Sequence, residues 1–198
     1  MLVANFKLKS LSPLSFSKRV YKTKDANETH EQFEKRIWPE RTHEKGGHVF
    51  LPGINLKKAI AATAQYLSIK IPGKANATFS KNFLQGVLCP DDLPLYHCNG
   101  RKAKPITVKD MKGVWIQADA QGQKGGRGGK QVSRCYPAID EWKCNVTIHI
   151  ADDTITKEIF EKVLIQSGIL NGVGRWRSQN GGSNGRYAID GKIQWTEI

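Results

Sequence analysis

The residue types best suited to holding a charged polymer are concentrated near the C-terminal end of the sequence, in residues 170–187. This stretch, LNGVGRWRSQNGGSNGRY, contains five glycines, three arginines, one tryptophan and no acid. Guanidinium groups bind phosphates through paired hydrogen bonds, an indole face can stack on a nucleobase, and glycines let a backbone approach a phosphate chain closely. The stretch therefore predicts a clamp for a phosphate polymer. Its candidate contact residues are Gly172, Gly174, Arg175, Trp176, Arg177, Arg186 and Tyr187.

Two nucleotide-cofactor motifs are excluded by the same stretch. A dinucleotide fingerprint needs GxGxxG between a strand and a helix, but Arg177 occupies the third glycine position, and the stretch follows a predicted helix. A P-loop is excluded because no GK[ST] follows the glycines. No cofactor is therefore expected. The alternative to a clamp is that Trp176 fills the core and the glycines only turn the chain.

Positive charge is the second feature of the sequence. Lys and Arg outnumber Asp and Glu by 31 to 18, which gives a net charge of +13 and a pI near 9.7. A net positive charge of this size favours binding to a polyanion, first a nucleic acid and second an anionic membrane surface. Residues 99–134 hold nine of these cations against two acids, and 121–131 have too little apolar mass to fold alone, which predicts a hairpin with a mobile basic tip. Further candidate contacts are Lys57, Lys58, Lys124, Arg127, Lys130 and Arg134.

Candidate acid–base groups lie in residues 16–47 and just after them. His30, His43 and His48, with Asp25, could supply the general base and acid of a metal-independent endoribonuclease. Their spacing specifies no catalytic triad, and histidines in a charged segment are also found simply solvated. Binding without catalysis and cleavage both stay open at this point.

The cysteines and the apolar content exclude other classes. None of the four cysteines forms a CxxC pair, so a zinc ribbon is not expected, and a site built from Cys89, His97 and Cys98 is the only metal alternative. The cysteines are instead expected to be small buried apolar residues. No stretch approaches the roughly 20 apolar residues of a membrane span, and the N-terminus lacks the apolar run of a signal peptide. We expect a cytoplasmic protein that binds no membrane.

Hydrophobic periodicity predicts the elements that position these residues. Alternation predicts strands over 3–9 and 146–150, and apolar residues at helical spacing predict helices over 54–67 and 155–167. Thr154 is predicted to cap the second helix and Gly168 to end it. Shorter elements are predicted as a helix over 31–37, strands over 49–51 and 114–117, one or two strands within 78–89, and a closing strand or hairpin over 186–198.

The segment before the first long helix and the glycine-rich stretch together resemble the RAMP superfamily, the RRM-like proteins that process CRISPR RNA or form the backbone of its effector complexes. In LPGINLKKAI, the positions that match the family are Pro52, Gly53, Leu56 and Lys57. The glycines that match are Gly172, Gly174, Gly181, Gly182 and Gly185. The resemblance implies one α+β, ferredoxin-like (RRM-like) domain over 1–198 with an antiparallel sheet, two main helices and excursions at 16–47 and 99–134, the second similar to a thumb-like hairpin.

The function expected from charge, loop and resemblance is single-strand nucleic-acid binding, RNA or DNA, with possible self-association along the strand. One alternative is an endoribonuclease of the RAMP type, whose members often use a histidine or a loop aspartate. The other is a compact, phage-encoded interaction or inhibitor protein that mimics such a subunit.

Overall fold

The computed structural model describes residues 1–98, 104–119 and 131–198. Its strands are β1 (Leu2–Ser10), β2 (Leu14–Ser15), β3 (Glu44–Lys45), β4 (His48–Leu51), β5 (Val87–Leu88), β6 (Leu93–Pro94), β7 (Lys112–Asp119), β8 (Gln131–Ile139), β9 (Lys143–Ile150), β10 (Tyr187–Ile189) and β11 (Gln194–Glu197). Its α-helices are α1 (His30–Ile37), α2 (Gly53–Leu67), α3 (Ser80–Gly86) and α4 (Lys157–Gln166). No helix within these residues combines the length and the apolar character needed to cross a bilayer.

The main sheet has the order β10–β1–β9–β5, and all its pairs are antiparallel. The last two strands both pair with β1, β10 along residues 8–10 and β11 along residues 2–5, so they extend one edge rather than form a hairpin with each other. The helix α2 lies between β1 and β5 in the chain, and α4 lies between β9 and β10. Without the insertions this is the strand–helix–strand–strand–helix–strand order of a ferredoxin-like fold, and the predicted α+β class is confirmed.

The core lies between this sheet and its two long helices. Alternate residues of β1 and β9 are buried on the helix side of the sheet, as the sequence pattern predicts. The apolar stripes of α2 and α4 cover them, and Phe160 of α4 stacks on Phe83 of α3 with ring centroids 6.4 Å apart. The opposite face of the sheet is largely polar, with Asn5 accepting a hydrogen bond from Thr147, although Val3 is also buried on that face. One face of the sheet is therefore used for folding, and the other is largely polar.

Three local predictions are corrected by the structure. Within residues 78–89, Ser80–Gly86 form the helix α3 rather than a strand, because Phe79 and Phe83 occur at helical spacing and pack edge to face in the core. The strand β5 at Val87–Leu88 confirms one strand in this range. The cap of α4 is Thr156, whose hydroxyl accepts from the backbone N–H of Ile159, while Thr154 binds Asp152. Gly168 does not end the helix, since a π-helical turn continues through Ser167–Asn171.

A second layer is built by the two excursions. The strands β7 and β8 pair along their whole length, from Lys112 opposite Ala138 to Asp119 opposite Gln131, and β2 adds to the far side of β8. The helix α1 packs against β8 and begins with a capping box made by Thr29 and Gln32. The predicted basic tip, with Lys124, Arg127 and Lys130, lies outside the described residues.

Candidate nucleic-acid interface

The first excursion is held across β8 by backbone and side-chain hydrogen bonds. The chain leaving β2 is fixed where Phe16 N–H donates to Pro137 O at 3.1 Å and Lys18 N–H donates to Arg41 O at 2.9 Å. The helix α1 is fixed where the His30 ring nitrogen Nε2 lies 2.8 Å from Ser133 O. Residues 17–22 therefore run beside both α1 and β8.

The glycine-rich loop, residues 172–186, is attached to the same region through β2. Arg175 N–H donates to Ser15 O at 2.7 Å, and Gly185 N–H donates to Pro13 O, also at 2.7 Å. Within the loop, Val173 N–H donates to Gly185 O at 2.9 Å, so its two arms are joined. Three segments that are distant in sequence thus meet at one place.

At this meeting point lies a cavity of about 500 Å³, which we call the cationic cavity. Among the described residues, its lining holds one carboxylate, that of Glu34, and two aromatic rings, those of Phe33 and Tyr136. His30 also lines it. The cations that line it are Lys18, Arg19, Lys22, Arg41, Arg134 and Arg175. Six positive side chains facing one negative side chain make the cavity suited to an anion.

The single carboxylate is already bound to one of the arginines. Glu34 and Arg41 are 1% and 6% exposed, and two guanidinium N–H groups of Arg41 donate to the carboxylate at 2.6 and 2.9 Å. Cys135 N–H donates to the same carboxylate at 2.9 Å, and Arg41 also donates to Cys135 O. Burial alone would raise the pKa of Glu34, but the hydrogen bonds from Arg41 and Cys135 outweigh it and hold that pKa below its ordinary value. The charge of Arg134 also lowers the pKa of Glu34, and Lys22 Nζ lies 2.6 Å from Glu40 Oε1.

Tyr136, which is 7% exposed, is the centre of a cation–π cluster at the base of the cavity. The guanidinium carbon of Arg175 lies 3.5 Å from its ring centroid, and that of Arg41 lies 4.6 Å away. Arg175 also lies 4.8 Å from the Trp176 ring, which meets Tyr136 edge to face at 6.0 Å. These contacts hold the Arg175 side chain in one place.

Arg175 is half-buried close to two other arginines. Desolvation lowers its pKa, the nearby charges of Arg41 and Arg134 lower it further, and Tyr136 offsets part of this effect. Its Nε atom is buried and has no hydrogen-bond partner among the described residues. A buried donor without a partner carries a free-energy cost that an incoming acceptor would remove.

Trp176 is neither a core residue nor a freely exposed one. Its backbone adopts φ +52°, in the left-handed region that non-glycine residues rarely enter, and its side chain is half-buried. Its carbonyl accepts from Asn184 N–H at 2.9 Å, and a Cβ on Gly182 would lie 1.9 Å from that oxygen. The contacts within the loop therefore hold the Trp176 backbone in a strained conformation, and this conformation keeps the indole ring beside Tyr136.

The glycines of the loop make room for the protein's own backbone. A Cβ on Gly174 would lie 2.6 Å from Ser15 O, and one on Gly185 would lie 1.7 Å from Val173 O. Gly172 is buried and its N–H donates to Ser167 O. These glycines are therefore needed for packing within the protein, and contact of Gly172 and Gly174 with a phosphate chain stays a prediction.

The other residues predicted to contact nucleic acid lie in three places: on the surface of the glycine-rich loop, in the core, and on the helix α2. Arg177 binds Gln179 through Nε, and the exposed Arg186 binds Ser178, so both stay on the loop surface. Tyr187 is 1% exposed and its hydroxyl is paired with that of Ser167; burial raises its pKa, and the stacking role predicted for it is wrong. Lys57 and Lys58 lie near the start of α2 and do not line the cationic cavity.

The candidate acid–base residues are dispersed. His30 lines the cationic cavity, whereas His48 lines a different one with Asp91 and Asp92. His43 packs between Phe16 and Phe50, and burial lowers its pKa. Asp25 lies 3.4 Å from Arg36 in a surface ion pair. In residues 1–98, no hydrogen bond or ion pair joins these four candidates to one another.

No metal site is formed by the described residues. No three of their His, Cys, Asp and Glu side chains are grouped as metal ligands, and Cys89, His97 and Cys98 are included in that statement. Cys89 is buried, and desolvation raises the pKa of its thiol to about 11. It is therefore a protonated core residue at neutral pH.

Several residues of the cavity are not found by sequence reasoning. Lys18, Arg19 and Lys22 form a visible basic run, SKRVYK, which the sequence analysis treats only as part of a charged excursion. Glu34 lies on a predicted helix, but nothing in its local pattern indicates burial. Tyr136 is recognisable only once β8 and the glycine-rich loop are placed together.

The fold of this chain is similar to that of two solved structures, each 13% identical to it in sequence. Cmr6 from Pyrococcus furiosus aligns with a TM-score of 0.51 and 13% identity over 96% of this chain and 99% of that one. A chain of the Type III-B Cmr-beta structure bound to cognate target RNA aligns with a TM-score of 0.53 and 13% identity, covering 98% of this chain and 60% of that longer one. No protein-family model matches the sequence, and no curated protein is similar to it.

Proposed function

We propose that this protein binds single-stranded nucleic acid, with phosphates held in and around the cationic cavity and a base beside Trp176. The observation that carries this proposal is that, among the residues the structure describes, six cations line one cavity and its one carboxylate is paired with Arg41. A net positive cavity bordered by aromatic rings is the combination that single-strand binders use, since phosphates supply affinity and ring stacking supplies preference for unpaired bases.

The solved structures of the same fold support RNA as the first strand to test. One of them is a Cmr-beta complex bound to cognate target RNA. By this analogy we propose a CRISPR-related role, in which the chain associates with further copies or other subunits along a strand. Lys124, Arg127 and Lys130 stay candidate contacts for the same nucleic-acid strand.

The test is a titration of the protein against single- and double-stranded RNA and DNA at several salt concentrations, with product gels. We expect tighter binding to single strands and a logarithmic affinity that falls linearly with log salt by about 0.7 per phosphate contact. Product bands would support the endoribonuclease alternative, with His30 as the first residue to replace. Absence of binding to every strand would contradict the proposal and favour the inhibitor alternative.

A paired variant shows whether the cavity is the site. Replacing Lys18 and Arg19 with Ala removes two cations that line it. The matched control replaces Lys162 and Lys192, two exposed lysines that do not line it, and changes the net charge equally. We expect the salt slope to fall by about 1.4 in the cavity variant and to stay unchanged in the control. Equal slopes in the two variants would show that only overall charge matters.

A further inference from the structure

We propose that the base of the cationic cavity is a discrete binding site for one phosphate group, with Arg175 as its principal donor. This inference rests on the proposed function, because it names the chemical group and the atom through which a strand is held. It goes further in one respect: the site should bind phosphate even when no strand is present.

The Nε–H group of Arg175 is available as a donor to a phosphate. Within residues 1–98, 104–119 and 131–198, Arg175 Nε is buried without a hydrogen-bond partner, while Nε of the nearby Arg177 is 3.0 Å from Gln179 Oε1. Arg175 lines the cavity, and a guanidinium offers two parallel N–H groups to a pair of phosphate oxygens. A phosphate placed there would supply an acceptor that none of the described residues provides.

Positive charge surrounds the Arg175 guanidinium. Arg41 and Arg134 both repel the Arg175 guanidinium, and the carboxylate that the described residues contribute to the lining, Glu34, is bound by Arg41 and Cys135 N–H. An anion between these groups would change repulsion into attraction. Because the cavity retains several positive charges, it suits a group that carries one or two negative charges, as phosphate does.

The Arg175 side chain is held in place before any phosphate binds. Tyr136 and Trp176 hold the Arg175 guanidinium at 3.5 and 4.8 Å from their ring centroids, and the Arg175 backbone is fixed by Ser15. The side chain therefore loses little conformational freedom on binding, which reduces the entropic cost. The bound group could be the monoester at a strand end or a diester within the strand, since both present the same oxygens.

The experiment titrates inorganic phosphate into the free protein at constant ionic strength, with chloride as the reference anion. Thermal midpoint and tryptophan fluorescence report on binding, and stabilisation should follow the logarithm of phosphate concentration above the Kd. In the wild-type protein, the ¹⁵N–H resonance of Arg175 Nε should shift and saturate with the same Kd. A non-saturating response equal to that of chloride would overturn the site.

Matched variants assign the donor. Arg175→Lys keeps the charge but removes the Nε donor, and should weaken phosphate binding by about tenfold or more, as expected for a hydrogen bond to a charged group. Arg177→Lys makes the same change in a residue whose Nε is already bonded, and should leave the affinity unchanged. Equal effects of the two replacements would overturn the assignment. If Arg175→Lys does not fold, the Nε resonance of the wild-type protein decides the question.

Competition with oligonucleotides identifies the source of the phosphate. A strand with a 5′- or 3′-phosphate that displaces inorganic phosphate at least tenfold better than its unphosphorylated form would support a strand-end site, and equal displacement would support internal diesters. Strand binding that leaves inorganic phosphate in place would overturn this inference but not the proposed function. Saturable phosphate binding without any strand binding would contradict the proposed function and leave the site standing.

Discussion

The buried pair of Glu34 and Arg41 gives the sharpest prediction about stability. Replacing Glu34 with Ala leaves the Arg41 guanidinium buried without its carboxylate and leaves Cys135 N–H without an acceptor. Removing one partner of a buried ion pair costs about 3–5 kcal/mol, which is a large part of the stability of an ordinary domain. We expect Glu34→Ala to lower the free energy of unfolding by that amount.

Urea denaturation followed by far-UV circular dichroism measures this loss, and the chain provides a matched control. Glu28 makes an equivalent two-bond contact with Arg36, at 2.8 and 2.7 Å, but the Arg36 side chain is 40% exposed. Solvent screens such a pair, so Glu28→Ala should lose far less stability. A loss in Glu34→Ala no larger than that in Glu28→Ala would refute the reasoning.

The pair of Glu34 and Arg41 also predicts how the stability of the protein depends on pH. Because the pKa of Glu34 is lower in the folded protein than in the unfolded chain, its contribution to stability is complete above the ordinary glutamate pKa of about 4.3. The contribution is lost as pH falls through the folded-state pKa. Stability measured from pH 7 down to pH 2 should therefore decline less steeply in Glu34→Ala than in the wild-type protein. Parallel curves would contradict a charged, paired Glu34.

Three further predictions concern the glycine-rich loop and the first residue of β10. Gly185→Ala should lower the thermal midpoint far more than Gly181→Ala. A Cβ on Gly185 would lie 1.7 Å from Val173 O, whereas a Cβ on Gly181 meets no other atom within 4 Å. Both glycines have φ near +75°, so the backbone strain of the two replacements is matched. Tyr187→Phe should cost about 1–2 kcal/mol in urea denaturation and leave strand binding unchanged, since the ring is buried. Trp176→Ala should weaken single-strand binding by roughly 1–3 kcal/mol with little change in salt slope, because stacking is largely uncharged.

The main sheet and the two long helices could be predicted because their patterns are local. Alternation along β1 and β9 and the stripes of α2 and α4 each lie within one segment, and burial on one side follows from them. The short helix α3 was missed because one pair of phenylalanines over seven residues is too little periodicity to separate a helix from a strand.

The cationic cavity could be predicted only in part. Arg134 and Arg175 are recognisable as basic residues in unusual stretches, but the role of each depends on Tyr136, which lies between strand neighbours with no unusual pattern. The burial of Glu34 depends on Arg41, seven residues away, and on the backbone of Cys135, a hundred and one residues away. Such long-range pairing is a property of the fold and leaves no local signal.

Photochemical crosslinking of a strand that contains 4-thiouridine tests the central claim most directly, because it reports which side chains touch the bases. The cationic cavity predicts crosslinks in peptides that include Phe33, Tyr136 or Trp176, and excess inorganic phosphate should reduce them. Crosslinks confined to α2 or to the polar face of the main sheet, around Asn5 and Thr147, would contradict the claim.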